Sequence, residues 1–116
     1  MKINRKAVIF GISSYELKNS EKIFFKKVKP WGIILFSRNI KSLDQLRTLV
    51  KEIKKIFKDD NFPILIDAEG GKISRLKRIM DLSVFSQTYF AKLYKKNNKL
   101  FYTHYEIFIN SVSNIL

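Results

Sequence analysis

The sequence contains no cysteine, one histidine, two prolines and four glycines among its 116 residues. Without cysteine these residues form neither a disulfide framework nor a thiolate metal site, and this composition fits a reducing compartment. The scarcity of glycine and proline, together with 46% apolar residues, is typical of a globular protein. A chain of this length forms one ordinary domain with a modest core but not two.

Long apolar runs are also absent. No stretch approaches the ~20 residues that a bilayer-spanning helix requires. The run Ala7–Ile12 follows a basic N-terminus, but it is shorter than the ~7–15 residues of a signal-peptide core, and no small-residue cleavage site follows it. We therefore expect a first β-strand here, in a cytoplasmic protein with no membrane partner.

Acidic residues are scarce: ten Asp and Glu oppose 23 Lys and Arg, which gives a net charge of +13. Such a charge favours contact with nucleic acid. However, 18 of the basic residues are Lys, they are spread along the chain, and the many Ile, Phe and Asn residues indicate the bias of an AT-rich genome. No familiar nucleic-acid-binding motif is present. We therefore expect no nucleic-acid partner, and a basic nucleic-acid-associated protein is the less favoured alternative.

Three short apolar runs predict β-strands, at Ala7–Ile12, Gly32–Phe36 and Ile64–Ile66. The third run is apolar throughout, as in a strand buried on both faces of a parallel sheet. Helical segments separate and follow the runs, so we expect an α/β fold with parallel strands joined by right-handed crossovers.

Apolar residues at helical spacing predict the helices. The first occupies Ser20–Val28 with Ser20 as N-cap and ends before Pro30. The second follows a capping box formed by Ser42 and Gln45. Two further helices are predicted at Phe85–Tyr94 and Leu100–Val112.

The segment Phe62–Arg75 contains the candidate site. The third predicted strand lies in this segment and is followed directly by Asp67. Ligands of α/β proteins bind at the carboxyl ends of such strands. The pair Gly70-Gly71 allows the backbone to turn sharply beside a ligand. From the residues alone, Asp67 is either a binding or catalytic group, or a carboxylate that caps a turn or pairs with Arg75 or Arg38.

Three blocks of the sequence resemble the N-terminal part of glycoside hydrolase family 3, specifically its bacterial β-N-acetylhexosaminidase branch. They are W-G-I-I-L-F-S-R-N at Trp31–Asn39, D-Q-L-R at Asp44–Arg47 and D-A-E-G-G-K-I-S-R at Asp67–Arg75. The resemblance implies that residues 1–116 are the first three β/α units of an incomplete (β/α)₈ TIM barrel, a portion of one catalytic domain with no internal boundary.

The family's enzymes remove terminal β-linked N-acetylglucosamine from muropeptides during cell-wall recycling. By position, the resemblance implies that Asp67 and Arg75 bind this amino sugar, because a carboxylate accepts and a guanidinium donates hydrogen bonds to hydroxyl groups. It assigns no cofactor and no metal. We expect four further residues to shape the loop or support the site: Arg38, Glu69, Gly70 and Gly71.

The family's catalytic segments are not among these residues. Its nucleophilic Asp lies late in the barrel, and its acid/base His lies in a Lys-His-Phe-Pro-Gly-His-Gly context that His104 does not match. Lys72 replaces the usual Arg and lacks its bidentate fork. We therefore expect no catalytic residue here and an inactive fragment. The alternative is a non-catalytic sugar-binding or oligomeric assembly module, and the oligomeric state stays open.

Overall fold

The computed structural model describes residues 4–68, 70–72 and 74–115. The strands are β1 (Lys6–Gly11), β2 (Pro30–Leu35) and β3 (Ile64–Ile66), and the helices are α1 (Asn19–Val28), α2 (Leu43–Phe57), α3 (Gln87–Lys96) and α4 (Asn98–Ser113). The chain divides into two compact units, the first ending at Asp67 and the second beginning at Ala68. The predicted alternation of strands and helices is confirmed.

The three strands form one parallel sheet in the order β1-β2-β3. On the central strand β2, Gly32 lies opposite Ile9 of β1, and Leu35 lies opposite Ile66 of β3. The expectation that β3 is buried on both faces is wrong. Its three residues are only half-buried, and among the described strands β3 lies at an edge of the sheet, next to β2 alone.

Helix α1 begins one residue before the predicted N-cap, so the assignment of Ser20 as N-cap is wrong. Lys18 is the N-cap, and the carboxylate of Glu21 accepts hydrogen bonds from the backbone N–H groups of Lys18 and Ser13, each at 2.9 Å. Burial alone would raise the pKa of Glu21, but these hydrogen bonds outweigh it and lower the pKa. An acidic residue in the first turn therefore replaces the N-cap side chain.

Helix α2 begins after Ser42, as predicted, and the Ser42 hydroxyl accepts a hydrogen bond from the Gln45 N–H at 3.2 Å. The other half of the predicted capping box differs. The Gln45 side-chain oxygen accepts from the N–H of Lys41, one residue before the N-cap. The apolar face of the helix is buried as its spacing predicts, through Leu46, Leu49, Val50 and Ile53.

In the second unit, α3 and α4 form a helical hairpin. Helix α3 begins two residues later than predicted because Ser86 is its N-cap and accepts from the Tyr89 N–H. Asn97 ends α3 and caps α4 by accepting from the Leu100 N–H. Aromatic rings of the two helices contact each other, with Phe90 at 5.0 Å from Tyr105 between ring centroids. None of the described helices has both the length and the apolar character needed to span a bilayer.

Candidate functional site

The carboxyl edge of the sheet in the first unit contains the predicted sugar-binding carboxylate. Asp67 directly follows Ile66, and it is exposed. Because Ile66 lies opposite Leu35, the next residues of the two neighbouring strands are Asp67 and Phe36. All three strands are parallel, so the segments that follow them emerge at this same edge.

A buried amide connects the loops that follow β1 and β2. Asn39 is fully buried, and its side-chain nitrogen donates to the carbonyl oxygens of Ile12 at 3.1 Å and Ser14 at 2.8 Å. Its side-chain oxygen accepts from the Phe36 N–H at 2.9 Å. These three bonds satisfy the amide and hold both loops in one arrangement.

Gln45 extends this network from the first turn of α2. Its side-chain nitrogen donates to the carbonyl oxygens of Tyr15 at 2.7 Å and Asn39 at 3.1 Å. The side chain therefore joins the helix to both loops. Sequence reasoning missed these roles of Asn39 and Gln45. The signal was present, since Asn39 closes the W-G-I-I-L-F-S-R-N block.

Arg38 lies in the 3₁₀ turn Ser37–Asn39 that follows β2. Its Nε donates to the Ile12 carbonyl oxygen at 3.0 Å, and its guanidinium carbon lies 4.7 Å from the centroid of the Phe36 ring. A Cβ atom at Gly11 would lie 3.1 Å from a guanidinium nitrogen of Arg38, so the guanidinium group packs closely against this glycine of β1. The described partners of Arg38 here are thus a carbonyl and a ring, and its role as a loop-shaping residue stays a prediction.

The remaining predicted site residues follow Asp67 and lie in the second unit. Gly70 and Gly71 have φ angles of +73° and +70°, which confirms the expected sharp turn, and the Gly71 N–H donates to the Leu82 carbonyl at 3.0 Å. Arg75 is half-buried. Glu69 lies outside the described residues. The sugar-binding roles of Asp67 and Arg75 stay predictions.

The second unit also contains an apolar groove of about 710 Å³ between α3 and α4. The described residues that line it include Tyr94, Phe101 and Tyr105, but no carboxylate. His104 of α4 is half-buried and its Nδ1 lies 3.5 Å from the Tyr89 hydroxyl oxygen, which agrees with a helix-face residue. In the described part of the chain, no group of three or more acidic or His side chains could hold a metal ion.

Comparisons with known proteins identify the relatives of this chain. No family model matches it. A β-hexosaminidase of Psychromonas ingrahamii is 37% identical over 70 residues, which cover 60% of this chain and 20% of the relative. A β-hexosaminidase of Neisseria meningitidis is 37% identical over 73 residues, which cover 63% of this chain and 20% of the relative. The chain thus spans about one fifth of the length of the curated relatives it matches.

Solved structures agree with the sequence matches. The crystal structure of NagZ from Neisseria gonorrhoeae in complex with N-trifluoroacetyl-D-glucosamine is 34% identical, with a TM-score of 0.58 over 67% of this chain and 22% of NagZ. The native NagZ structure gives 36% identity and a TM-score of 0.57. The resemblance indicated by the three sequence blocks is confirmed: the chain is similar to bacterial β-hexosaminidases and to NagZ over about one fifth of their length.

Proposed function

We propose that this chain forms the sugar-binding side of an active site of glycoside hydrolase family 3. An enzyme of this kind hydrolyses O-glycosyl bonds and removes terminal β-linked N-acetylglucosamine. The names of the relatives and the N-acyl-glucosamine in the related NagZ structure support an amino-sugar substrate. The observation that carries the proposal is the position of Asp67, directly after a parallel strand in a chain related to these enzymes.

The proposal includes the larger fold. The order β1-β2-β3, with helices between successive strands, is the local order of a (β/α)₈ barrel, in which active sites lie at the carboxyl ends of the strands. In such a barrel residues 1–116 are an N-terminal part of the catalytic domain. Muropeptides as substrate, peptidoglycan recycling and a cytoplasmic location belong to the same proposal.

The proposal assigns a separate role to each residue: Asp67 accepts hydrogen bonds from sugar hydroxyls, and Arg75 donates to sugar oxygens. Loop-shaping or supporting roles are proposed for four further residues: Arg38, Glu69, Gly70 and Gly71. A retaining glycosidase needs a nucleophile and an acid/base group that flank the scissile bond. We assign neither role to a residue of this chain, so binding without hydrolysis is the activity expected of it alone.

Binding of N-acetylglucosamine, measured by ligand-observed NMR, tests this assignment. We expect Asp67→Asn to weaken binding by about tenfold, as the loss of charge-assisted hydrogen bonds worth about 1.5 kcal/mol predicts. Asp60→Asn is the matched control. Like Asp67, Asp60 is an exposed aspartate, but it precedes β3, whereas Asp67 follows β3. Equal binding by the two variants would contradict the assignment of Asp67.

Arg75 is tested in the same assay. We expect Arg75→Lys to weaken binding, because lysine keeps the charge but loses the planar fork of donors. Arg78→Lys, three residues along the chain, is the control for a nonspecific effect of this exchange. Circular dichroism establishes that both variants are folded. If Arg75→Lys binds the sugar as tightly as Arg78→Lys, Arg75 is not a ligand.

Hydrolysis is tested separately with a chromogenic N-acetylglucosaminide. The chain alone is expected to give no turnover above that of buffer. Turnover that Asp67→Ala abolishes would show that the chain is catalytic by itself, and the proposed division between binding and catalysis would be wrong.

A non-catalytic assembly module is the second candidate, and one observation favours it. Helix α4 has no buried residue, although it contains large apolar side chains such as Ile107, which is 60% exposed. A helix that is apolar on several sides is usually covered by other polypeptide. Light scattering separates the two candidates: a stable oligomer of defined size favours the module, and a monomer favours the enzyme segment.

A further inference from the structure

The fold gathers lysines that are far apart in the sequence at one end of the first unit. The last turn of α1 contains Lys26 and Lys27, and that of α2 contains Lys54 and Lys55. Lys29 and Lys58 follow as the C-caps. The two helices pack side by side, because Lys22 of α1 forms an ion pair with Glu52 of α2 and the Phe25 and Phe57 rings are 6.4 Å apart.

The beginning of β1 adds two more cations at this end. The Lys6 N–H donates to the Lys29 carbonyl at 2.9 Å, and Arg5 forms an ion pair with Asp59. We call the resulting surface the basic end: Arg5, Lys6, Lys26, Lys27, Lys29, Lys51, Lys54, Lys55 and Lys58. The acids that follow α2 are Asp59, which Arg5 already balances, and Asp60.

A groove of about 420 Å³ lies within the basic end. It is lined by Lys51, Lys54, Lys55 and Lys58 together with Asp59 and Asp60. The four lysines are spaced at i, i+3, i+4 and i+7, so they share one face of α2 and its C-cap. At about 1.5 Å per residue they extend over about 10 Å. Four successive phosphates of one duplex strand, separated by three steps of about 3.4 Å, cover a similar axial length.

The helix dipole explains only part of this pattern. Cations near a helix C-terminus are stabilising, but the effect is confined to the last turn. Lys6 lies on a strand, and Lys51 lies before the last turn of α2. One ground of the sequence-based argument against a nucleic-acid partner was that the lysines are spread along the chain, and the fold brings eight of the 18 lysines together at this end.

We propose that the basic end binds the phosphate backbone of a nucleic-acid duplex. The described lining of the groove contains four lysines and two acids but no aromatic side chain, so binding depends on charge and not on base stacking. Of the two acids, Asp59 is already paired with Arg5, so positive charge is in excess in the groove and complements a strand of phosphates. The basic end lies where strands begin, whereas Asp67 lies where β3 ends, so the proposal is independent of sugar binding.

Fluorescence anisotropy with a labelled duplex DNA of about 20 base pairs tests the proposal across a salt series. We expect tight binding at low salt that weakens steeply as salt rises. The variant Lys51→Gln, Lys54→Gln, Lys55→Gln, Lys58→Gln is expected to bind about tenfold or more weakly. For this variant, the plot of the logarithm of the binding constant against the logarithm of the salt concentration should be less steep, by about 0.9 for each lost phosphate contact.

The matched control removes the same charge from exposed lysines of the second unit, through Lys92→Gln, Lys95→Gln, Lys96→Gln and Lys99→Gln. This control is expected to keep most of the affinity and slope. Equal losses in both variants would show that net charge alone acts. Absence of binding by the wild type at about 50 mM salt would also overturn the proposal, as would binding to phosphatidylglycerol vesicles without binding to DNA. Because Lys54 is half-buried, the triple variant without it replaces the quadruple variant if circular dichroism shows misfolding.

Discussion

The side chain of Asn39 offers the sharpest test of how this fold supports its carboxyl edge. Asn39→Ala removes the two hydrogen bonds to the Ile12 and Ser14 carbonyls and the one from the Phe36 N–H. Ile12 keeps the hydrogen bond from Arg38, but Ser14 loses its bond from this amide. The two loops are then no longer joined by a buried side chain.

The expected loss of stability is about 3 kcal/mol. Each hydrogen bond contributes about 1 kcal/mol net, and the substitution removes three at a fully buried position. Asn39→Asp keeps the acceptor for the Phe36 N–H but loses both donors, and it puts a buried charge beside two carbonyl oxygens. We therefore expect Asn39→Asp to be more destabilised at pH 7 than at pH 4, where its carboxyl group is closer to neutral.

Urea unfolding followed by fluorescence measures this loss, because Trp31 is the only tryptophan and lies in β2 of the first unit. Asn19→Ala is the control: Asn19 is exposed at the start of α1, and its substitution should change the free energy of unfolding by less than about 0.5 kcal/mol. If Asn39→Ala is as stable as Asn19→Ala, the amide network does not hold the loops and the reasoning is refuted.

Three further predictions concern other parts of the chain. The Arg5 guanidinium and the Asn61 N–H lower the pKa of Asp59, so its carboxylate stabilises the fold at pH values above its ordinary pKa of 3.8. Lowering the pH below 3.8 should therefore reduce the free energy of unfolding of the wild type more than that of Asp59→Asn. Gly70→Ala should destabilise the second unit by more than about 2 kcal/mol, since its Cβ would overlap the Phe85 carbonyl; hydrogen exchange in α3 and α4 that stays at the wild-type rate would contradict this. Lys29→Gly should raise the free energy of unfolding by about 1 kcal/mol, because Lys29 has a φ of +54°, and a lower urea midpoint would contradict it.

The sequence predicted the elements with strong local signals. Ser42, the apolar spacing of α2 and the Lys29-Pro30 end of α1 each act within a few residues, so their structural effects are visible in the sequence. The sharp turn at Gly70-Gly71 was predictable for the same reason, and the structure shows that both glycines have a positive φ. The resemblance to β-hexosaminidases depended on blocks of adjacent residues, and the relatives confirm it.

The features that sequence reasoning missed depend on residues distant in the chain. Glu21 replaces Ser20 in capping α1 because its carboxylate also reaches the Ser13 N–H, which a local pattern does not reveal. The half-burial of β3 accompanies its place at an edge among the described strands, which its composition does not reveal. The basic end likewise exists only after α1, α2 and the start of β1 are brought together.

The amide network explains how exposed Asp67 can have a defined neighbourhood. The side chains of Asn39 and Gln45 supply five hydrogen bonds to backbone groups of the loops that follow β1 and β2. Fixing these loops before a ligand binds reduces the ordering cost of binding. If the proposed sugar site is correct, Asn39→Ala should weaken N-acetylglucosamine binding although Asn39 contacts no sugar, and restoring stability with an added osmolyte should recover part of that affinity.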